Sequence, residues 1–351
     1  MKKILIFGGW TGGNKGDLGI LIAEMSAILA EIPDAHFLIP SKFPQKIAPA
    51  LRDFPVEISK TVRSYFGFST FSLLKKADAI VFGGGGVFFG RKFWHFGYSH
   101  LLNFFFIALF NRLFFHRKIM IFAVGASHFF GFLPTVAATF LLRSAEKITV
   151  RDDKTRKLFQ KLGAKKVLET ADPAFLLFPK KEKIAKKYAA EIAVCFDDQF
   201  FPPEKKLFEL FQKLEKNFSV VFFHNDAFSK KGEKFWKKFG KNFHRVRFFP
   251  TKKSDPREII FFLKKCKMLV AAPMHAIIFA VVAGKKVLPI IYDEKVLALC
   301  QKIKINVFLR KNEILKIPEM ISSATRAKMP LEKIRQKSRE NAKILKTLFQ
   351  K

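Results

Sequence analysis

Short apolar runs alternate with longer stretches of helical spacing along most of the chain. Ile4–Gly8 reads as a buried strand, and Leu18, Ile22, Met25, Leu29 and Ile32 follow at the spacing of an amphipathic helix. The same alternation makes strands of His36–Pro40, Ala79–Phe82, Ile119–Val124, Lys147–Val150 and Val167–Glu169. Around Phe178–Glu191 the chain turns lysine-dense and poor in core residues. Beyond it the alternation restarts, with strands at Ile192–Phe196, Val220–His224, Val246–Phe249, Met268–Ala272 and Val287–Ile291. The tail from Pro318 has amphipathic helical spacing. Continuous apolar strands separated by helices predict mostly parallel sheets covered on both faces. The expected architecture is α/β with two Rossmann-like domains, 1–180 and 190–351, the second carrying the C-terminal helices. Two such halves are expected to face each other across a cleft at the carboxyl ends of their strands.

Composition narrows the partners. With 351 residues, 49% of them hydrophobic, two full cores are attainable and wholesale disorder is excluded. The formal charge is +35, from 64 Lys and Arg against 29 Asp and Glu, and it favours anionic partners. The lysines are spread along the chain, and no RNA-binding aromatic signature, zinc finger or basic heptad helix occurs, so nucleic acid is not expected as a main partner. Segments such as Phe228–Lys241 mix aromatics with lysine and suit either a phosphate-rich surface or an ordinary solvated helix face. Cys195, Cys266 and Cys300 are far apart and form no CxxC pair, which suits a reducing cytoplasm. No signal peptide is legible at the N-terminus. Leu101–Phe115 is the longest apolar stretch, yet it is interrupted by Asn103, Asn111 and Arg112 and is shorter than the ~20 residues of a membrane span. It predicts a buried or interfacial helix. With 45 Phe in the chain, peripheral contact with an acidic membrane at its inner face is compatible with the sequence.

Strand ends carry the candidate chemistry. After the first strand come Gly8, Gly9, Gly12, Gly13 and Gly16, then Asp17 as the expected helix N-cap. The loop matches neither the GxxxxGK[ST] nor the GxGxxG pattern, so it predicts a tight turn with an anion-attracting helix start. Gly83–Gly86 directly follows another strand. Arg151 and Asp152 follow a third, offering a guanidinium fork for an anion. His275 stands between a buried strand and an apolar helix, where an imidazole could move a proton or meet an anion. No spacing suggests a metal site.

Five segments, GGWTGGNKGDLGIL, ADAIVFGGGG, IMIFAVGAS, ITVRDDKTRKLFQKLGAKKVLETADPAF and MHAIIFAVVAGKKVLPIIYDEKV, together resemble the polysaccharide pyruvyl transferase family in order and spacing. The resemblance implies a GT-B-like fold, with an acceptor side in the first domain and a donor side in the second. It also implies transfer of a pyruvyl group from phosphoenolpyruvate, without a cofactor, to sugar hydroxyls of a cell-surface polysaccharide or its lipid-linked precursor. Carried over position by position, it makes His275 and Asp17 the catalytic candidates. Arg151, Gly12, Gly13, Asn14, Gly84, Gly85, Gly125 and Lys295 become the substrate-binding candidates, while Asp152 and Asp172 are expected to be architectural. One position departs: the family usually has Arg-Leu-His-Ala where this chain has Pro273-Met274-His275-Ala276. That arginine is expected to bind phosphoenolpyruvate, so Arg245, Arg247 or another cation has to replace it, or the donor differs, or activity is lost. The rival readings are a GT-B glycosyltransferase using a nucleotide-sugar and an inactive glycan- or anion-binding homologue.

Overall fold

The computed structural model describes residues 1–10, 12–61, 68–88, 100–126, 131–180, 188–226, 230–252 and 254–350. Residues 181–187 of the expected linker, and Phe228 and Ser229 of the aromatic-lysine segment, lie outside the described residues. The chain forms two compact units. One comprises Met1–Gly12, Asp17–Leu176 and Ile334–Lys351, the other Gly13–Gly16 and Leu177–Lys333.

The first unit begins β1 (Lys2–Phe7), α1 (Lys15–Glu31), β2 (Ala35–Ser41), α2 (Pro44–Leu51), β3 (Val56–Lys60) and α3 (Phe68–Lys76). It continues with β4 (Ala79–Phe82), β5 (Gly85–Phe88), α4 (His100–Phe110), β6 (Lys118–Ala126), α5 (Phe132–Ser144), β7 (Lys147–Val150), α6 (Asp153–Lys161) and β8 (Val167–Glu169). Among the described residues these strands make one eight-stranded sheet in the order β3-β2-β1-β4-β6-β7-β8, with β5 paired to β6, and every pairing is parallel. The order reverses between β1 and β4, the place where open parallel sheets bind ligands at their carboxyl ends.

Three details differ from the sequence reading. The glycine run after β4 holds a strand that the apolar pattern does not predict, because Gly85 and Gly86 rejoin the sheet as β5 against Val124 and Gly125. Helix α1 is buried over most of its surface, Glu24 included, rather than amphipathic. It also starts before Asp17: Asn14 Oδ1 accepts the Gly16 N–H at 2.8 Å, which makes Asn14 the capping side chain and Asp17 a first-turn residue. Strand β6 bends where Ala123 takes a left-handed φ of 48° and donates its N–H to Thr149 Oγ1. The register shifts there against β7, and such a bulge re-aims the residues that follow, here Val124 and Gly125.

The second unit runs β9 (Ile192–Cys195), α7 (Glu204–Glu215), β10 (Val220–Phe223), α8 (Lys231–Phe239), β11 (Val246–Phe249), α9 (Pro256–Leu263) and β12 (Met268–Ala271). After these come α10 (Met274–Val282), β13 (Lys286–Ile291), α11 (Glu294–Lys302), β14 (Leu309–Arg310) and α12 (Ile317–Met320). Its sheet, again parallel, has the order β11-β10-β9-β12-β13-β14 and reverses between β9 and β12. An aromatic-rich core of Phe196, Phe211, Phe222, Phe235 and Phe243 packs between that sheet and its helices.

The last helix, α13 (Leu331–Lys346), corrects the expected second domain of 190–351, since Ile334–Lys351 belongs to the first unit. Arg335 Nε donates to Phe175 O, Ser338 Oγ to Asp172 O, and Thr170 Oγ1 to Asn341 Oδ1, tying the helix to the segment after β8. Nonlocal hydrogen bonds between buried groups made that choice, and local periodicity carries no trace of them.

Candidate active site

In the first unit, Asp17, Gly84, Gly85, Gly125 and Arg151 gather at the carboxyl edge of the sheet. The Asp17 carboxylate stands over Gly9, where an added Cβ would lie 3.0 Å from its Oδ2, and its Oδ1 is 3.7 Å from the same point on Gly85. Gly84 donates its N–H to Glu24 Oε1 at 2.9 Å. Arg151, 7% exposed, pairs through Nη1 with Asp172 Oδ2 at 2.9 Å and lies across Gly125, whose added Cβ would sit 2.6 Å from Nε. The guanidinium is thus buried and neutralised rather than solvated, with Nη2 facing Gly86. Asp152 caps α6 by accepting the Thr155 N–H, the architectural role expected of it. Asp172 does more, supplying the counter-charge for Arg151. Gly12 stands apart from this group, in a left-handed conformation against Lys46 and Ile47 of α2.

In the second unit, Gly13–Gly16 meet the carboxyl edge of that sheet. Asn14 bridges Asp226, and the Lys15 N–H donates to Asn225 O at 2.9 Å. Lys15 is only 3% exposed, and its Nζ donates to Lys252 O at 3.2 Å. His275, 9% exposed, occupies the first turn of α10 at the sheet's switch point, and its imidazole lies so close to Gly16 that any side chain there would overlap Nδ1. Across the switch point, burial pushes the Asp197 carboxyl above its ordinary range. The Phe200 and Gln199 N–H groups and the Lys295 charge pull the other way, and Asp226 adds to the rise. Lys295 is already engaged: its Nζ donates to Gln199 Oε1 at 3.2 Å and lies 3.8 Å from Asp293 Oδ2. An open hollow of about 780 Å³ adjoins Tyr292, Asp293, Arg310 and Lys311, but neither His275 nor Asp197 lines it.

Neither suggested replacement for the missing arginine stands near His275. Arg245 precedes β11, at the amino edge of the sheet beside Glu191, and the Arg247 guanidinium turns back to His244 O and Val246 O. In a parallel sheet that edge is opposite the strand ends that bear His275. Sequence reasoning missed Lys15, Glu24 and Asp197. A lysine beside a glycine loop reads as surface charge, and only the Asp-Asp pair after the β9 run was a usable signal. The three cysteines are buried, with Cys266 and Cys300 pushed up to about 12, so none is poised as a thiolate. Among the described residues no group of three or more His, Cys, Asp or Glu side chains could hold a metal ion.

Solved structures of similar fold include the UDP-GlcNAc 2-epimerase of Methanocaldococcus jannaschii, with TM-score 0.64, 10% identity and 99% of each chain covered. MnaA of S. aureus, solved with UDP, has TM-score 0.64 and 13% identity over 97% of this chain and 91% of that one. The Neisseria meningitidis UDP-GlcNAc 2-epimerase has TM-score 0.60 and 11% identity, with 99% of each chain covered. These likenesses establish a GT-B-like α/β fold. No curated protein matches the chain by sequence. The family model for polysaccharide pyruvyl transferase matches residues 14–294, a stretch that includes Asn14, Arg151 and His275, and this chain belongs to that family.

Proposed function

We propose that the protein transfers a pyruvyl group from phosphoenolpyruvate to two hydroxyls of one sugar in a cell-surface polysaccharide or its lipid-linked precursor, on the cytoplasmic side and without a cofactor. The observation that carries this reading is His275, held at the switch point of the second sheet, in the first turn of α10, against the bare backbone of Gly16. A helix start offers N–H groups to an anion, and an imidazole there can supply a proton.

The reaction dictates the roles. Protonation of the donor's methylene carbon makes C2 electrophilic, and one sugar hydroxyl adds to it. The second hydroxyl then displaces phosphate and closes the ketal. The two hydroxyl protons balance the one given to carbon and the one that leaves with phosphate. His275 is the proton donor or phosphate contact, and Lys15 takes the part of the cation that Pro273 does not supply. Asp17 receives a hydroxyl proton from the acceptor. Arg151, paired with Asp172 through Nη1, is the cation of the first unit for an anionic group. Lys295, held by Gln199 and Asp293, is a further anion contact of lower rank.

The test is phosphate release from phosphoenolpyruvate by the purified chain across a panel of glycans, with the ketal product identified by mass. Release is expected only when donor and a suitable acceptor are both present. His275→Ala is expected to lower kcat/KM by about 100- to 10,000-fold with little change in melting temperature. Absence of both release and donor binding would sink the reading, and binding of a nucleotide-sugar instead would favour glycosyl transfer.

A further inference from the structure

Helices α4 and α5 of the first unit are apolar on both faces. Their inner faces bury Leu101, Leu102, Phe104 and Ile107, and Ala137, Ala138, Leu141 and Leu142. A helix that is hydrophobic all round needs a second apolar neighbour; here the outer side of α4 is half-buried, and large apolar side chains are exposed at the start of α5 and in the segment 111–115 that follows α4. Phe132 is 79% exposed, Leu113 and Phe114 are 59% exposed each, and Leu133, Val136 and Phe71 are exposed as well. The exposed side chains form two groups, Phe132, Leu133 and Val136 at the start of α5, and Phe71, Leu113 and Phe114, where Phe71 packs edge-on against Phe114 and Phe115; the half-buried Phe105 joins α4 to Phe140 of α5. Scattered single exposed apolar residues are ordinary, but large ones exposed in groups mark a binding surface.

Charge says what covers it. No Asp or Glu occurs anywhere between Asp78 and Glu146, whereas Arg112, Arg117, Lys118 and Arg143 fall in that stretch. Arg112 and Arg143 are exposed beside the apolar face, and Arg117 Nη2 reaches Lys75 O at the base of α3. We propose that this face docks the protein on an anionic lipid bilayer, with Phe132, Leu133, Leu113 and Phe114 entering the acyl boundary and the cations meeting lipid phosphates. Apolar insertion with a basic rim is how interfacial helices hold acidic membranes. A second copy of the chain would bring two cationic rims together within a molecule of charge +35, and a nucleic acid would leave the phenylalanines in water. No helix among the described residues is long and apolar enough to cross a membrane, so the contact is peripheral. The proposal is independent of pyruvyl transfer, because the test needs neither donor nor glycan.

Co-sedimentation of the full chain with phosphatidylcholine vesicles, with and without phosphatidylglycerol, reads the interaction. Binding is expected only with the anionic lipid and is expected to weaken, without vanishing, as salt rises. Leu113→Glu/Phe114→Glu and Phe132→Glu/Leu133→Glu are each expected to reduce it about tenfold or more, with melting temperatures near that of the parent. Should the glutamates unfold the protein, Phe132→Trp serves instead, its emission shifting blue and being quenched by brominated lipid. The proposal is overturned by a lack of binding to anionic vesicles or by binding that the glutamates leave unchanged. A tryptophan that stays in water, or a dimer in sedimentation equilibrium that the glutamates dissociate, overturns it too.

Discussion

At Glu24 the chain keeps a carboxyl group away from water. Oε1 accepts the Gly84 N–H, Oε2 has no hydrogen-bond partner among the described residues, and burial holds the group well above the ordinary carboxylate range. Nearby Asp172 raises it further. A neutral carboxyl is therefore the folded form. Its stability contribution is full at pH below about 4.5 and declines as pH rises toward the folded-state value, because only the unfolded chain ionises freely there. Glu24→Gln keeps the acceptor for Gly84 and cannot ionise. Its melting temperature relative to the parent is expected to climb between pH 4.5 and 8, and a constant difference would contradict the assignment. In sequence Glu24 looks like one more polar position on an amphipathic helix. Its burial comes from the close approach of Gly83 and Trp10, which no window around residue 24 reveals. Lys15 was hidden in the same way, by carbonyls at residues 225 and 252.

The elements at the first unit's carboxyl edge are arranged around one guanidinium. The bulge in β6 turns Gly125 under Arg151, and β5 resumes after β4 so that Gly86, the cross-strand partner of Gly125, faces Nη2. The two glycines differ in what they tolerate. A methyl at Gly125 would press on the guanidinium, while one at Gly86 would meet only Nη2 at 3.8 Å, an ordinary contact. Gly125→Ala is expected to cost about 1–3 kcal/mol in urea unfolding and to impair substrate binding. Gly86→Ala is expected to stay within about 0.5 kcal/mol of the parent. Equal costs at the two positions would show that Arg151 does not rest where the structure has it. The glycine run was legible, but its division into a turn and a second strand was not. The edge strand β3, VEISK, was missed because only two of its five residues are apolar and none is fully buried.

Across the whole molecule, the C-terminal helix closes a circuit. Asn341 is buried, accepts from Thr170 Oγ1 and donates to Ala171 O, so the far end of the chain braces the segment that aims Asp172 at Arg151. Asn341→Ala is expected to cost about 1–3 kcal/mol by stranding these buried groups, with unfolding by urea as the measurement. A neutral effect would mean that the helix is merely appended. The apolar and polar periodicity by itself determined the α/β alternation, the strands of both sheets apart from their edges and interruptions, and the strand-end placement of Asp17, Arg151 and His275. Those features follow from local spacing, since residues a few positions apart decide which face of a strand or helix is apolar. Tertiary structure alone decided which unit holds the last helix and that Gly13–Gly16 group with the second unit. It also decided that Arg151, Lys15 and Glu24 are buried and that Phe114 and Phe132 face outward. Burial and charge pairing depend on neighbours that the fold brings in from distant parts of the chain, and no local pattern encodes them.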